Sequence, residues 1–421
     1  MVKVLHVLGN TNLGGAESRI MDLYRHMDRE QVQFDFLVHM DPTQYRQALK
    51  DGREPEDYRD SGHYDSEIRE LGGHIYALPR FRAYNIASYK RAIRRFFREH
   101  NDYTVVQGHM TSTASIYLPI AKAISMTPQD DNPSDCIIDD DLGQTLVTVA
   151  HTRNAGVDKG AKGLLTKWLR KSLPNKADYL FACSHLAGDE TFGGAPYTYI
   201  PNTIDTQKFQ FDQDARDEIR DMYDIPKDAI VIGNVARFSA QKNQMYLIDA
   251  FWELQGRLSE ASYDRSVYLM LCGDGSLRKA CEDRAQELKV SDKVIFAGNQ
   301  STVQDYYSAM DIFAFPSIYE GLPGVVVEAQ ASGLYCLISN TITNDVLLTD
   351  RIETMSISGE PTTWSVALAK TINQLDMDDK DNQPDRTAYA DIVKAVGFDV
   401  NTQAKRMMEF YKNPCEDTIP R

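Results

Sequence analysis

Glu320 and Glu328 stand eight residues apart in SIYEGLPGVVVEAQASG, Ser317 to Gly333. Carboxylates at this spacing, around a Gly-Pro-Gly turn and an apolar run, can accept hydrogen bonds from the hydroxyls of one ligand. Gly321, Pro323 and Gly324 make a turn with free backbone donors. The run from Val325 to Ala331 reads as a helix, whose start favours an anion. Glu328 then lies about one turn into that helix, where an ordinary first-turn acid would also stand. Glu320, held in a Gly/Pro loop, is harder to explain by folding alone.

Three further stretches carry groups of the same chemistry. In NVARFSAQKNQ, Arg237 follows a strand-like run and Lys242 comes five residues later, where a helix should begin. A forked guanidinium and a point-like ammonium placed so could clamp a diphosphate, although exposed surface cations would look alike. In GNTNLGGAESRI, Gly9 to Ile20, glycines sit between a strand and a helix, where backbone N–H groups can approach an anion. The stretch lacks the G-x-G-x-x-G dinucleotide fingerprint, and a plain strand-to-helix turn reads the same way. CGDGSLR, Cys272 to Arg278, is read mainly as a tight structural turn.

Parallel β-sheets place such groups at the carboxyl ends of their strands. Strand-like runs occur at 2–9, 32–40, 74–79, 103–110, 145–152 and 179–186. Helical spacing separates them, as in Ile20, Leu23, Tyr24, Met27 and in Tyr89, Ile93, Phe96, Phe97. The rhythm restarts with strands at 229–238, 267–275, 293–300, 311–317 and 334–340, and helices around 242–258, 277–288, 302–309 and 324–332. Repeated strand-helix-strand units imply parallel sheets covered on both faces. The reading is therefore α/β: two doubly wound Rossmann-like domains facing across a cleft. IPNTIDTQKFQFDQDARDE, polar and turn-forming, is the junction, with the hinge near residue 202. Residues 51–66 are read as a polar loop. Residues 126–144 hold six aspartates and two prolines, but their spacing lacks the glycine and terminal glutamate of a calcium loop, so they read as a solvated insertion.

Bulk properties narrow the class. A chain of 421 residues is too long for one ordinary core. A hydrophobic share of 42% and a charged share of 25% are those of a globular enzyme. The net charge of −15 speaks against nucleic acid as a partner. Six cysteines without C-x-x-C spacing fit a reducing cytoplasm rather than a zinc site or disulfide framework. MVKVLHVLGN is too short and too soon polar for a signal peptide, and no run approaches the roughly 20 apolar residues of a spanning helix.

Taken together, these stretches resemble the retaining glycosyltransferases of family four, with the GT-B fold, especially bacterial enzymes of exopolysaccharide and capsule synthesis. EGLPGVVVE is similar to their E-x7-E element. RFSAQK resembles their Arg/Lys pair, and NLGGAE their glycine-rich turn with Gly14 and Gly15. PNTIDTQKF resembles their hinge segment, with Asn202 in place and Thr203 where glycine is usual. The resemblance implies an N-terminal acceptor-side domain over 1–201, joined by the C-terminal helix 400–421, and a donor domain over 202–399. It implies that Glu320 holds donor-sugar hydroxyls, that Leu322, Gly324 and Val325 offer backbone N–H groups to the donor, and that Glu328 binds the ribose. It gives Arg237 and Lys242 the growing charge of the leaving diphosphate. His151, in VTVAHTRNAG, fits the family's sugar-facing histidine, and His109 in QGHM is a second candidate for acceptor or sugar contact. The implied reaction moves a hexose from a nucleotide sugar, a UDP-sugar by family, to a lipid-linked glycan, with retained configuration and no cofactor or metal.

Other classes stay open at this level. A non-hydrolysing UDP-sugar 2-epimerase would share the architecture but needs acid/base groups on both sugar faces, and none can be assigned. A sugar-nucleotide-binding protein without turnover would not need all of Glu320, Glu328, Arg237, Lys242 and His151. Two basic amphipathic stretches, Pro79–Arg98 and Asp158–Lys176, read either as core helices with basic outer faces or as contacts with anionic lipid at the inner leaflet. The expected location is cytoplasmic, peripheral at the inner face of the plasma membrane.

Overall fold

The computed structural model describes residues 1–126, 146–153, 161–380 and 385–419. The acidic stretch from 127 onward, Asn154, and the start of the second basic stretch lie outside these residues. The chain forms two compact units, Met1–Pro201 with Val400–Arg421, and Asn202–Asp399.

The first unit is built on a seven-stranded parallel sheet. Its strands are β1 (Val2–Val7), β2 (Val32–Met40), β3 (Ile75–Pro79), β4 (Val105–Gly108), β5 (Val147–Thr152), β6 (Tyr179–Ala182) and β7 (Thr198–Tyr199). They lie in the order β3-β2-β1-β4-β5-β6-β7. All nine residues of β2 are buried, as expected of a strand covered on both faces. The order reverses between β1 and β4, so the crevice at their carboxyl ends is where such a sheet binds ligands.

The helix Val400–Lys412 belongs to this unit. Phe410 packs edge-on to Tyr179, with ring centroids 5.2 Å apart, and lies 5.3 Å from Phe181. Tyr411 meets Phe34 at 5.7 Å. Both aromatic side chains are fully buried. Each such ring contributes about 1.5–3 kcal/mol of apolar burial.

The second unit holds a six-stranded parallel sheet of β8 (Ile230–Val235), β9 (Val267–Cys272), β10 (Val294–Gly298), β11 (Ile312–Phe315), β12 (Tyr335–Ser339) and β13 (Ile352–Met355). Its order is β10-β9-β8-β11-β12-β13, with the switch between β8 and β11. Asp311, just before β11, fixes this centre. Its Oδ1 accepts from Arg216 at 2.7 Å, and its Oδ2 accepts from Arg220 and from the Val231 N–H, each at 2.8 Å. Burial alone would raise the Asp311 carboxyl, but the two guanidiniums hold it below the usual carboxylate range.

Several elements differ from the reading of the sequence. Residues 51–66 are not a free polar loop. They contain the 3-10 turn Pro55–Tyr58 and a buried Arg59–Asp65 ion pair at 2.5 Å, with side chains 6% and 4% exposed. The Tyr64 N–H also donates to the Thr11 carbonyl, tying the segment to the loop after β1. The polar junction sequence becomes the helix Gln213–Met222 in its second half, capped by Asp212. The helix Thr111–Ser125 showed no amphipathic period because most of it is buried, and Pro119 stands inside it. In Ile86–Glu99 the apolar side chains Tyr89, Ile93, Phe96 and Phe97 all enter the core, so its outer face is basic rather than amphipathic. In Ala161–Lys171 the apolar set divides: Leu169 is buried, whereas Leu164 and Trp168 are 71% and 70% exposed.

Candidate active site

In the second unit, the loops after β8 and β11 meet at the switch point. The chain leaves β8 through Ala236 and Arg237 and turns at Asn243, whose φ of 58° lies in the left-handed region that asparagine tolerates. The helix Gln244–Glu260 follows. Arg237 is exposed, and its carbonyl accepts from the Gln244 side chain at 3.1 Å. The CGDG turn supports this loop from below: a Cβ on Gly273 would stand 2.1 Å from the Ala236 carbonyl oxygen, and one on Gly275 2.3 Å from that of Phe238. Those glycines serve close backbone packing, which agrees with their structural reading.

Lys242 Nζ lies 2.5 Å from Glu320 Oε1 and 5.0 Å from the centroid of Phe315. Glu320 Oε1 also accepts from Ser317 Oγ at 2.5 Å. These strong contacts fall on one carboxylate oxygen. The sequence assigned Lys242 to phosphate and Glu320 to sugar; the structure brings the two together as an ion pair. Ser317, overlooked in the sequence, lies only three residues before Glu320.

The helix Gly324–Ala331 starts without a side-chain cap, so the N–H groups of Gly324 and Val325 in its first turn point out of the helix end. Glu328 is buried in this helix and accepts from Tyr307 Oη at 2.9 Å. Leu322 is buried, and its carbonyl accepts from Asn202 Nδ2 at 2.9 Å. Asn202 therefore secures the Gly/Pro loop within this unit. Nothing in the sequence marked Tyr307, which stands on the separate helix Val303–Ala309.

In the first unit, the candidate groups gather at the ends of β1, β4 and β5. Gly14 precedes the helix Gly15–Arg25 in an extended conformation. The Glu17 carboxylate reaches back over it: a Cβ on Gly14 would stand 2.4 Å from Glu17 Oε2. A carboxylate, rather than open space for an anion, thus lies above the Gly14 end of the expected cradle. A Cβ on Gly15 would meet nothing within 4 Å.

His151 and His109 lie close together with His6; His151 and His6 are buried and His109 is half-buried. Arg153 Nε donates to His109 Nδ1 at 3.2 Å, and His109 Nε2 lies 3.0 Å from His6 Nδ1. An arginine can only donate, so His109 carries its proton on Nε2 and passes it toward His6. Both His109 nitrogens are thereby engaged within the protein. Burial, then the Arg153 charge, pushes the His6 pKa down to about 3. The same causes hold His109 and His151 well below the ordinary imidazole range, so all three are neutral. His151 Nδ1 lies 2.8 Å from Gln107 Nε2, while its Nε2 has no partner among the described residues.

A cavity of about 300 Å³ lies at the segments that follow β1 and β2, lined by Asn10, Asn12, His39, Asp41, Arg59 and Arg80 among others. His39 is fully committed there, to the Leu8 carbonyl and to Tyr89 Oη, each at 3.0 Å. Among the described residues no group of three or more His, Cys, Asp or Glu side chains could hold a metal ion.

Comparison with known proteins gives this arrangement a context. The model for Glycosyl transferases group 1 matches residues 215–390, and that for Glycosyltransferase Family 4 matches residues 13–208. EpsF of Bacillus subtilis, a glycosyltransferase by name, is 30% identical over 418 residues, covering 97% of this chain and 96% of its own. The UDP-Gal:alpha-D-GlcNAc-diphosphoundecaprenol alpha-1,3-galactosyltransferase of Escherichia coli is 26% identical over 37% of this chain and 39% of its own. Among solved structures, HepE of Anabaena, in complex with UDP and glucose, superposes with a TM-score of 0.68 at 17% identity, over 97% of this chain and 99% of that one. This last likeness shows the GT-B fold. With the EpsF match running nearly end to end in both chains and a family model seated on each unit, the chain belongs to the glycosyltransferases of family four.

Proposed function

We propose that the protein moves a hexose from a UDP-sugar to a lipid-linked glycan during exopolysaccharide or capsule synthesis, with retention at the anomeric carbon. The observation that carries this is the meeting of Lys242 and Glu320 at the β8/β11 switch point, beside the uncapped helix Gly324–Ala331. The donor's diphosphate takes Arg237, Lys242 and the N–H groups of Gly324 and Val325. Its sugar hydroxyls take Glu320 Oε2, and its ribose takes Glu328 in the orientation that Tyr307 sets. Donor binding exchanges the Lys242–Glu320 contact for these ligand contacts. The bond from the anomeric carbon to phosphate oxygen breaks, and one to the acceptor oxygen forms on the same face. The acceptor proton passes to the leaving phosphate. Lys242 and Arg237 stabilise the charge as it grows there, so the scheme calls for no metal.

His151 is assigned to a sugar hydroxyl through its unpartnered Nε2, the role that the family resemblance implies for it. A buried polar atom left without a partner costs about 1–3 kcal/mol, so Nε2 stands to gain from a hydrogen-bond acceptor brought within its reach. UDP and the UDP-sugar in the names of the relatives support the choice of base. The lipid carrier in the galactosyltransferase's name supports the acceptor class. A panel of nucleotide sugars, read by thermal stabilisation and then by UDP release with polyprenyl-diphosphate sugars, tests the proposal. Stabilisation by a GDP- or ADP-sugar but by no UDP-sugar would refute the base. An epimerised donor formed without acceptor would refute transfer.

A further inference from the structure

His151 rests on two residues that no family motif marks. Gln107 lies on β4, the neighbour of β5, and Tyr411 on the helix Val400–Lys412. All three side chains are almost wholly buried. Tyr411 Oη donates to Gln107 Oε1 at 2.6 Å. The structure sets the amide oxygen toward the phenol, which donates to it. The amide nitrogen must then face His151 Nδ1, 2.8 Å away. An amide NH₂ only donates, so Nδ1 must accept and carries no proton. Neutral His151 therefore keeps its proton on Nε2, the atom without a partner among the described residues. Burial holds the Tyr411 hydroxyl far above its ordinary pKa, so its donor proton is present at any working pH.

We infer that Gln107 and Tyr411 are positioning residues that lock His151 as its Nε2–H tautomer, making it a hydrogen-bond donor toward the substrate. The inference rests on the proposed role of His151 in the sugar site and specifies how that role is set. A flipped amide would place its oxygen against Nδ1, draw the proton there and present a bare Nε2. The donor would become an acceptor without any movement of the ring.

Nitrogen NMR of isotopically labelled histidine, with His151→Gln for assignment, reads the proton position directly. The wild type should show the proton on Nε2. Gln107→Glu puts a carboxylate oxygen against Nδ1 and should move a proton there. Tyr411→Phe frees the amide and should give a mixture of tautomers. This second variant adds no buried charge and keeps the test decisive if Gln107→Glu does not fold. In each folded variant kcat for UDP release should fall about 10–100-fold, with KM for the UDP-sugar unchanged, as when an outer hydrogen-bond partner of a working histidine is lost. A proton on Nδ1 in the wild type would overturn the inference. So would folded Tyr411→Phe with wild-type tautomer and kcat. Full turnover by His151→Gln would instead overturn the reading of His151 itself, an outcome that the tautomer measurement does not share.

Discussion

Lys242 and Glu320 are opposite charges at 2.5 Å in a half-buried setting. Removing either should remove transition-state stabilisation of about 3–4 kcal/mol. Lys242→Ala and Glu320→Ala should thus each lower turnover by orders of magnitude while the circular dichroism spectrum is kept. The double variant should lose less than the sum, because contacting residues couple. Strict additivity, or near-normal turnover in either single variant, would show that the pair does not act as a unit. The pair was visible in the sequence as two separate roles: a carboxylate stranded in a Gly/Pro loop, and a cation five residues after Arg237. Their contact was not visible, because it joins loops 78 residues apart in the chain. Tyr307 and Gln107 were hidden for a related reason. Each gains its importance from buried hydrogen bonds, and neither residue type looks unusual on an ordinary helix or strand.

Among the elements, β8 and β11 matter most, since the site loops leave from their ends. Asp311 joins both to the helix Gln213–Met222 through Arg216, Arg220 and the Val231 N–H. Asp311→Asn leaves the buried Arg220 without its counter-ion and should destabilise the protein by about 3–5 kcal/mol. The folded carboxyl lies below its unfolded value of about 3.9, so its contribution is complete above that pH. It is lost as pH falls through the folded value. Urea midpoints of the wild type and Asp311→Asn should therefore differ widely at pH 7 and draw together as the pH falls below about 3.9. A constant gap would assign the stability to something other than this charge. Long, β-branched or apolar runs such as those of β2 and β9 were plain in the sequence. The two-residue β7 and the four-residue β13 were not, because neither carries a buried apolar run. The Thr111–Ser125 helix escaped because burial on nearly all sides removes the amphipathic signal.

For the whole molecule, a net charge of −15 coexists with one strongly basic face. Arg91, Arg94, Arg95 and Arg98 stand exposed on the outer side of Ile86–Glu99, around a shallow cavity of about 620 Å³. No helix among the described residues is long and apolar enough to cross a membrane. If this face meets the leaflet that carries the acceptor, each basic residue gains about 1 kcal/mol near anionic lipid. The protein should sediment with anionic but not neutral liposomes at low salt, and release as salt rises. Replacing the four arginines by glutamine should abolish sedimentation. Equal behaviour toward both liposomes would point to an acceptor reached from solution.

The packing of Val400–Lys412 against Phe34 and Phe181 also sets a clock on biosynthesis. The ribosome makes the Met1–Pro201 stretch first, yet the helix that walls its sheet emerges only after the whole of Asn202–Asp399. At about 5–20 residues per second, the earlier segment waits roughly 10–40 s for its missing side. The later segment needs nothing from beyond itself and can finish first. A nascent chain of this protein is thus completed in the reverse of the order in which it is written, with aromatic surface on its older half open to chaperones throughout the delay.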